Sequence, residues 1–188
     1  LPYSQLRSGF AEMLKHGLIA DQKHWNDLIS IKHLNAENLF PFIETSMKIK
    51  ERIVGQDFKE QHIRKTLNFG HTIGHAIESL FLQTGTAIPH GEAVALGMIC
   101  ESRLAFLINL IGEVDAENII NNIRKFYPYL SISQFSDDQI LALMLNDKKN
   151  SSGKISFSLL KKIGEGNFDC EVSEKDLIST LQYYRNLN

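Results

Sequence analysis

Between Glu92 and Ile111 the chain runs through Ala93, Val94, Ala95, Leu96, Gly97, Met98, Ile99 and Cys100, small or apolar nearly all the way round a helical wheel. A helix at the edge of a protein carries one apolar stripe, whereas one that is apolar on every side has to be enclosed. Other elements must therefore pack around this segment from several directions. With 188 residues, 43% of them apolar, the chain is long enough to build one such core.

The rest of the sequence supplies the enclosing elements. Leu6, Phe10, Met13, Leu14 and Leu18 recur at helical spacing up to Ala20-Asp21, a second short helix is expected over Gln22–Ile31, and a third over Ala36–Val54. Pro41 falls in the early turns of the third, where proline is tolerated. The row Glu60–Leu80 reads as one continuous helix, and two amphipathic helices follow, from Asp115 or Ala116 to Phe126 and over Asp137–Leu145. Then the period changes: Ile155, Phe157 and Leu159 alternate with Ser156 and Ser158, which predicts a strand, with Phe168–Val172 as its partner. Ser173 and Asp176 have capping-box spacing before a last helix. The expected fold is mainly α, a multi-helical single domain over residues 1–188 with a small β-hairpin near residues 154–172.

Composition excludes several functions. The formal charge of −2 gives no general basic surface for nucleic acid or an anionic membrane. There is no apolar run of about 18 residues to span a bilayer, and no signal-peptide pattern at the N-terminus. Cys100 and Cys170 have no CxxC spacing, which speaks against a thiolate metal site or a disulfide framework and for a reducing, cytoplasmic setting. No glycine-rich GxGxxG loop is present. The chain opens at Leu1 without an initiating Met, which suggests a piece of a longer protein.

The chemistry concentrates in Arg64-Lys65-Thr66-Leu67-Asn68-Phe69-Gly70-His71-Thr72-Ile73-Gly74-His75-Ala76-Ile77-Glu78, followed by Pro89-His90-Gly91-Glu92. On one helix, Arg64, Asn68, His71 and His75 would share a face, joined by Glu60 and Glu78, carboxylates able to fix imidazole tautomers or hold a cation. His71, His75 and His90 together are a candidate divalent-metal site; the bland alternative is a pair of half-buried helix histidines. Glu12 and Lys15, three positions apart in the apolar window Gly9–Leu14, read from that helix alone as a surface pair. Lys50, Arg64, Lys148 and Lys149 are candidate anion contacts, with solvent as the default for each lysine.

Taken together, Gly9-Phe10-Ala11-Glu12-Met13-Leu14-Lys15-His16-Gly17, Leu67–Glu78, His90-Gly91-Glu92-Ala93-Val94-Ala95-Leu96-Gly97-Met98 and Asp147-Lys148-Lys149 resemble the C-terminal domain of the 3-dehydroquinate synthase family, in the same order and over nearly the whole chain. The resemblance implies a metal, Zn2+ or Co2+, held by Glu12, His71 and His90, with His75 beside the metal rather than on it. It places Lys15, Lys50, Glu60, Arg64, Asn68 and His75 along the substrate pocket, Lys148 or Lys149 at the phosphate end, and Lys15, Arg64, Asn68 and His75 in the chemistry. His16 and His62 stand where family members commonly have a tyrosine and a glycine.

The activity so implied is conversion of 3-deoxy-D-arabino-heptulosonate 7-phosphate to 3-dehydroquinate and phosphate in the shikimate pathway. It depends on NAD and zinc, and the full-length protein is expected to be a cytoplasmic homodimer. The family's NAD-binding N-terminal domain is absent from these residues, so the isolated chain is expected to be inactive. Rival readings are a related sugar-phosphate cyclase of the deoxyinosose or valiolone type, an iron-type polyol dehydrogenase, and a helical module without catalytic role. Glu12 and the Asp147-Lys148-Lys149 run argue against the dehydrogenase.

Overall fold

The computed structural model describes residues 2–147 and 155–188, and Lys148 and Lys149 lie outside them. The chain folds as α1 (Tyr3–Ala20), α2 (Gln22–Ile29), α3 (Ala36–Gln56), a 3-10 helix (Ile63–Asn68), α4 (His71–Gln83), α5 (His90–Leu107), α6 (Glu113–Phe126), α7 (Asp137–Asp147), the hairpin β1 (Ser156–Lys162) and β2 (Glu165–Glu171), and α8 (Glu174–Arg185). Side-chain caps start several helices: Asp21 accepts from the His24 N–H, Asn35 from Asn38 and Ser173 from Asp176. No helix among the described residues is long and apolar enough to cross a membrane.

As its composition requires, α5 is the central element. Ala93 through Ser102, Leu104 and Ala105 are all buried, and α1, α4, α6, α8 and β1 pack against it. Contact with α4 and α1 is close enough that two glycines cannot be replaced without movement. A Cβ on Gly97 would lie 1.8 Å from the Gly70 carbonyl oxygen, and one on Gly91 would lie 2.3 Å from Ser8 Cα.

The expected Glu60–Leu80 helix is two elements rather than one. The Asp57 carboxylate accepts from the backbone N–H groups of Gln61, His62 and Arg64 at 3.0, 2.7 and 3.0 Å, and Glu60 takes a positive φ of 54°. These bonds wind the segment into a tight turn that runs into the 3-10 helix. That helix stops at buried Phe69, and Gly70 at φ 81° turns the chain left-handed before α4 begins. Arg64 and Asn68 therefore do not continue the helical face of His71 and His75.

The hairpin braces this break. Its strands pair antiparallel, Ser156 opposite Glu171 and Phe157 opposite Cys170, with irregularities at Phe157/Leu159 and Leu160/Lys162. Gly164 in its turn donates its N–H to the Leu18 carbonyl at 2.8 Å. Ser158 donates to the Lys65 carbonyl at 2.6 Å, and Lys65 pairs with Asp169 at 2.7 Å.

Candidate metal centre

Three elements converge at one end of the central helix. Glu12 comes from α1, His71 and His75 from the first turns of α4, and His90 is the first residue of α5. The start of α5 is clamped to α1 by Arg7, which pairs with Glu92 at 2.6 Å and donates to the Phe126 carbonyl at 2.5 Å. Ser8 Oγ accepts from the Gly91 N–H at 3.2 Å, and Tyr127 donates its hydroxyl proton to the Arg7 carbonyl at 2.6 Å. The start of α4 is set by Glu101, fully buried on α5. Its two carboxyl oxygens accept from the Gly70 N–H at 2.5 Å and the Ile73 N–H at 3.1 Å. These are donors that the helix leaves unsatisfied at its own N-terminus.

The nitrogens of His71, His75 and His90 come within 4.8 Å of one another. Their rings meet at centroid distances of 5.0 Å (His71 and His75), 5.5 Å (His71 and His90) and 5.8 Å (His75 and His90). Glu12 Oε1 lies 3.5 Å from His71 Nε2. Two tautomers follow from the partners. The Phe69 carbonyl, 3.1 Å from His71 Nδ1, can only accept, so Nδ1 carries the proton. The Glu78 carboxylate, 3.2 Å from His90 Nδ1, imposes the same choice there. In His71 the Nε2 lone pair is thereby left free.

The electrostatics favour a cation among these groups. Burial, reinforced by the Lys15 ammonium, lowers His71 to about 4, so the ring is neutral near pH 7. For Glu12, burial acts to raise the carboxyl, but Lys15, followed by His71 and His16, outweighs it and holds Glu12 below the usual carboxylate range. Lys15 is the deeper partner, 3% exposed against 30% for Glu12. Burial therefore lowers Lys15 even though Glu12 bonds it at 2.8 Å. Glu12 Oε2 faces Lys15, while Oε1 is buried with no hydrogen-bond donor among the described residues. An ionised oxygen facing an unprotonated imidazole nitrogen is an arrangement of two acceptors. A divalent ion resolves it, and one carboxylate with imidazole nitrogens is a donor set suited to zinc or cobalt.

The other sequence candidates fall into groups. Lys15 is buried beside Glu12, which overturns the surface-pair reading from the first helix. Glu60, Arg64 and Asn68 form a cluster of their own: Asn68 Nδ2 donates to Glu60 Oε1 at 3.1 Å, Arg64 Nε lies 3.6 Å from Glu60 Oε2, and Arg64 also donates to the Phe58 carbonyl. Lys50 is exposed on α3, near enough to Lys15 and His16 to depress both. His16 is buried with Nδ1 2.6 Å from Ser46 Oγ, and His62 is exposed. Sequence reasoning missed Glu101, whose signal was a lone carboxylate inside an otherwise apolar stretch.

Comparisons with known proteins show the family and the fold. The family model described as 3-dehydroquinate synthase C-terminal matches residues 9–150. The 3-dehydroquinate synthase of Parabacteroides distasonis is 38% identical over 187 residues, covering 98% of this chain and 53% of that protein. That of Campylobacter concisus is 34% identical over 186 residues, covering 98% and 53%. The chain thus spans about half the length of the curated relatives it matches. Among solved structures, the 2-epi-5-epi-valiolone synthase of Streptomyces hygroscopicus, with NAD+ and Zn2+ bound, shares the fold at TM-score 0.82 and 21% identity, over 100% of this chain and 53% of that one. A 2-deoxy-scyllo-inosose synthase complexed with carbaglucose-6-phosphate, NAD+ and Co2+ does so at 0.73 and 23%, over 98% and 52%.

Proposed function

Since the chain belongs to the 3-dehydroquinate synthase C-terminal family, we propose that it supplies the metal- and substrate-handling half of a 3-dehydroquinate synthase. The proposed reaction converts 3-deoxy-D-arabino-heptulosonate 7-phosphate to 3-dehydroquinate and phosphate. One observation carries the reading: the buried, donor-less Glu12 Oε1 facing the free Nε2 of His71, with His90 alongside. Glu12, His71 and His90 hold the metal, and His75 stays available for protons. Relatives at 34–38% identity named for this activity favour it over the valiolone and deoxyinosose cyclases, which share the fold at 21–23%.

A bound metal would supply Lewis-acid polarisation of the reacting carbinol and ketone oxygens, and NAD in the longer protein would supply hydride acceptance and return. The chain's own residues handle the rest. Lys15, held at depth by Glu12, presents an ammonium to the substrate's anionic and hydroxyl oxygens, and its lowered pKa lets Nζ give up a proton more readily than an exposed lysine. Arg64 and Asn68, steadied by Glu60, bind the carboxylate and hydroxyl groups. Lys50 adds positive charge at the rim, and Lys148 or Lys149 reaches the phosphate. The His75 ring, packed against His71 and His90, takes a proton during phosphate elimination and returns it.

NAD binding belongs to the longer protein, as do a homodimer and a cytoplasmic setting. The 188 residues alone release no phosphate from the substrate. In the test, the purified chain is titrated with Co2+ and followed by visible absorption. The parent binds about one ion, and Glu12→Ala, His71→Ala and His90→Ala each abolish stoichiometric binding. A parent chain that takes up no Co2+, or variants that bind as it does, overturn the metal reading. Turnover by the isolated chain overturns the claim that it is half a site.

A further inference from the structure

We infer that Glu78 is a positioning residue for His90: it accepts the Nδ1 proton and so aims the Nε2 lone pair at His71 and His75. The inference rests on the metal-centre reading above, but its geometry stands apart from it. Glu78 lies on α4 two turns beyond His71, and the residue it reaches is not on its own helix. Its Oε2 is 3.2 Å from Nδ1 of His90, the first residue of α5, across the connection that Gly85 and Pro89 punctuate. His90 is the first residue of α5, inside the turn that the Pro89 carbonyl closes with the Ala93 N–H, so the backbone fixes where its side chain starts and leaves the direction of the ring to its side-chain partners.

The two histidines are thereby matched. The acceptor beside Nδ1 is a backbone carbonyl for His71 and a side-chain carboxylate for His90, so in each ring Nε2 is the nitrogen left for the cluster, whose three residues each offer a ligand atom within 4.8 Å of the others. Histidines that serve as metal ligands recur in this form, with an oxygen acceptor on the far nitrogen fixing both tautomer and ring direction. The carboxylate partner also makes the imidazole a stronger donor than a carbonyl partner does. Glu78 is half-buried and lines an open cleft of about 380 Å³ with His75, Ser79, Leu82, Ala87 and Ile88. A shortened side chain there opens toward solvent instead of leaving a void in the core, so the variants test orientation more than folding.

The experiment compares the parent chain with Glu78→Ala and Glu78→Gln by two measurements. Long-range 1H–15N correlation spectra of the metal-free proteins read the His90 tautomer directly, and Co2+ titration reads affinity. In the parent, His90 carries its proton on Nδ1. In Glu78→Ala it shifts toward Nε2–H, and Co2+ binding weakens by about 10- to 100-fold, the range found for outer-shell partners. Glu78→Gln, whose amide oxygen can still accept, retains more of the Nδ1–H form and loses less affinity. An unchanged His90 tautomer in Glu78→Ala overturns the inference, and so does Co2+ affinity within twofold of a parent that does bind. If the parent binds no Co2+, the metal reading falls, while the tautomer spectra still decide the role of Glu78.

Discussion

Replacing Glu101 with glutamine tests how the first turn of α4 is held. Glu101 is fully buried, and its two oxygens accept from Gly70 and Ile73, N–H groups with no partner inside α4. Glutamine keeps the volume and one acceptor oxygen but turns an NH2 group toward the second N–H. One hydrogen bond worth about 1 kcal/mol is lost, and a buried donor left unpaired costs about 1–3 kcal/mol more, for a total of about 2–4 kcal/mol. In a domain of this size each kcal/mol lowers Tm by about 2–4 °C, so a loss near 3 kcal/mol lowers it by about 6–12 °C. Thermal and urea unfolding of the metal-free chain, followed by circular dichroism, measure this with no contribution from a ligand. The same variant should bind Co2+ more weakly, because His71 lies between the two anchored residues. A loss of under about 1 kcal/mol would mean that the turn is held by the glycine packing and that the carboxyl is incidental.

Two further outcomes follow from the same region. Gly97→Ala drives a methyl to within 1.8 Å of the Gly70 oxygen, so α4 must move. Overpacking of this kind costs about 1–3 kcal/mol, and unfolding combined with Co2+ titration should show stability and affinity falling together; unchanged affinity would show that α4 can shift without carrying His71. The second concerns His16, which burial, then Lys15, lowers from 6.5 to about 4, with Lys50 and His24 acting the same way and Glu12 opposing. Between those values the unfolded chain holds the proton that the folded chain refuses, so stability falls as pH drops from about 6.5 to 4 and then levels off. At about 1.4 kcal/mol per pH unit the interval is worth about 3 kcal/mol. Urea unfolding across pH 4–7 should show a shallower slope in His16→Asn, and an equal slope would remove His16 as the cause.

How far the sequence reveals this molecule depends on whether a feature is periodic. The apolar repeats of α1 and α3 and the all-round apolar run of α5 predict helices that the structure contains, and the alternation after Ile155 predicts the hairpin. Spacing failed between Glu60 and Leu80, where four-residue steps fit a helix but local bonds decide otherwise. Asp57 ties down three N–H groups, and Gly70 adopts a left-handed turn that no spacing rule registers. Lys15 was illegible for another reason: its burial depends on α3 and α5 packing against α1, which a single helix cannot show. The resemblance to the family brought Glu12 into the site where pattern alone had left it on the surface. The Lys148 and Lys149 expectation falls outside the described residues.

The three proposed ligands are far apart along the chain. Glu12 stands 59 positions before His71 and 78 before His90, and the contact of Gly91 with Ser8 that joins their elements spans 83 positions. Contacts of such sequence separation bear the largest loop-closure entropy, so they favour late formation. The unfolded chain has no assembled cage for an ion to enter. An ion held there gains little from the folding barrier and a great deal from the native state, so it lengthens the folded lifetime by slowing unfolding and leaves the refolding rate almost untouched. At the proposed centre, metal occupancy would then be a readout of completed topology, since its ligands meet only once the first helix has closed back onto the fifth.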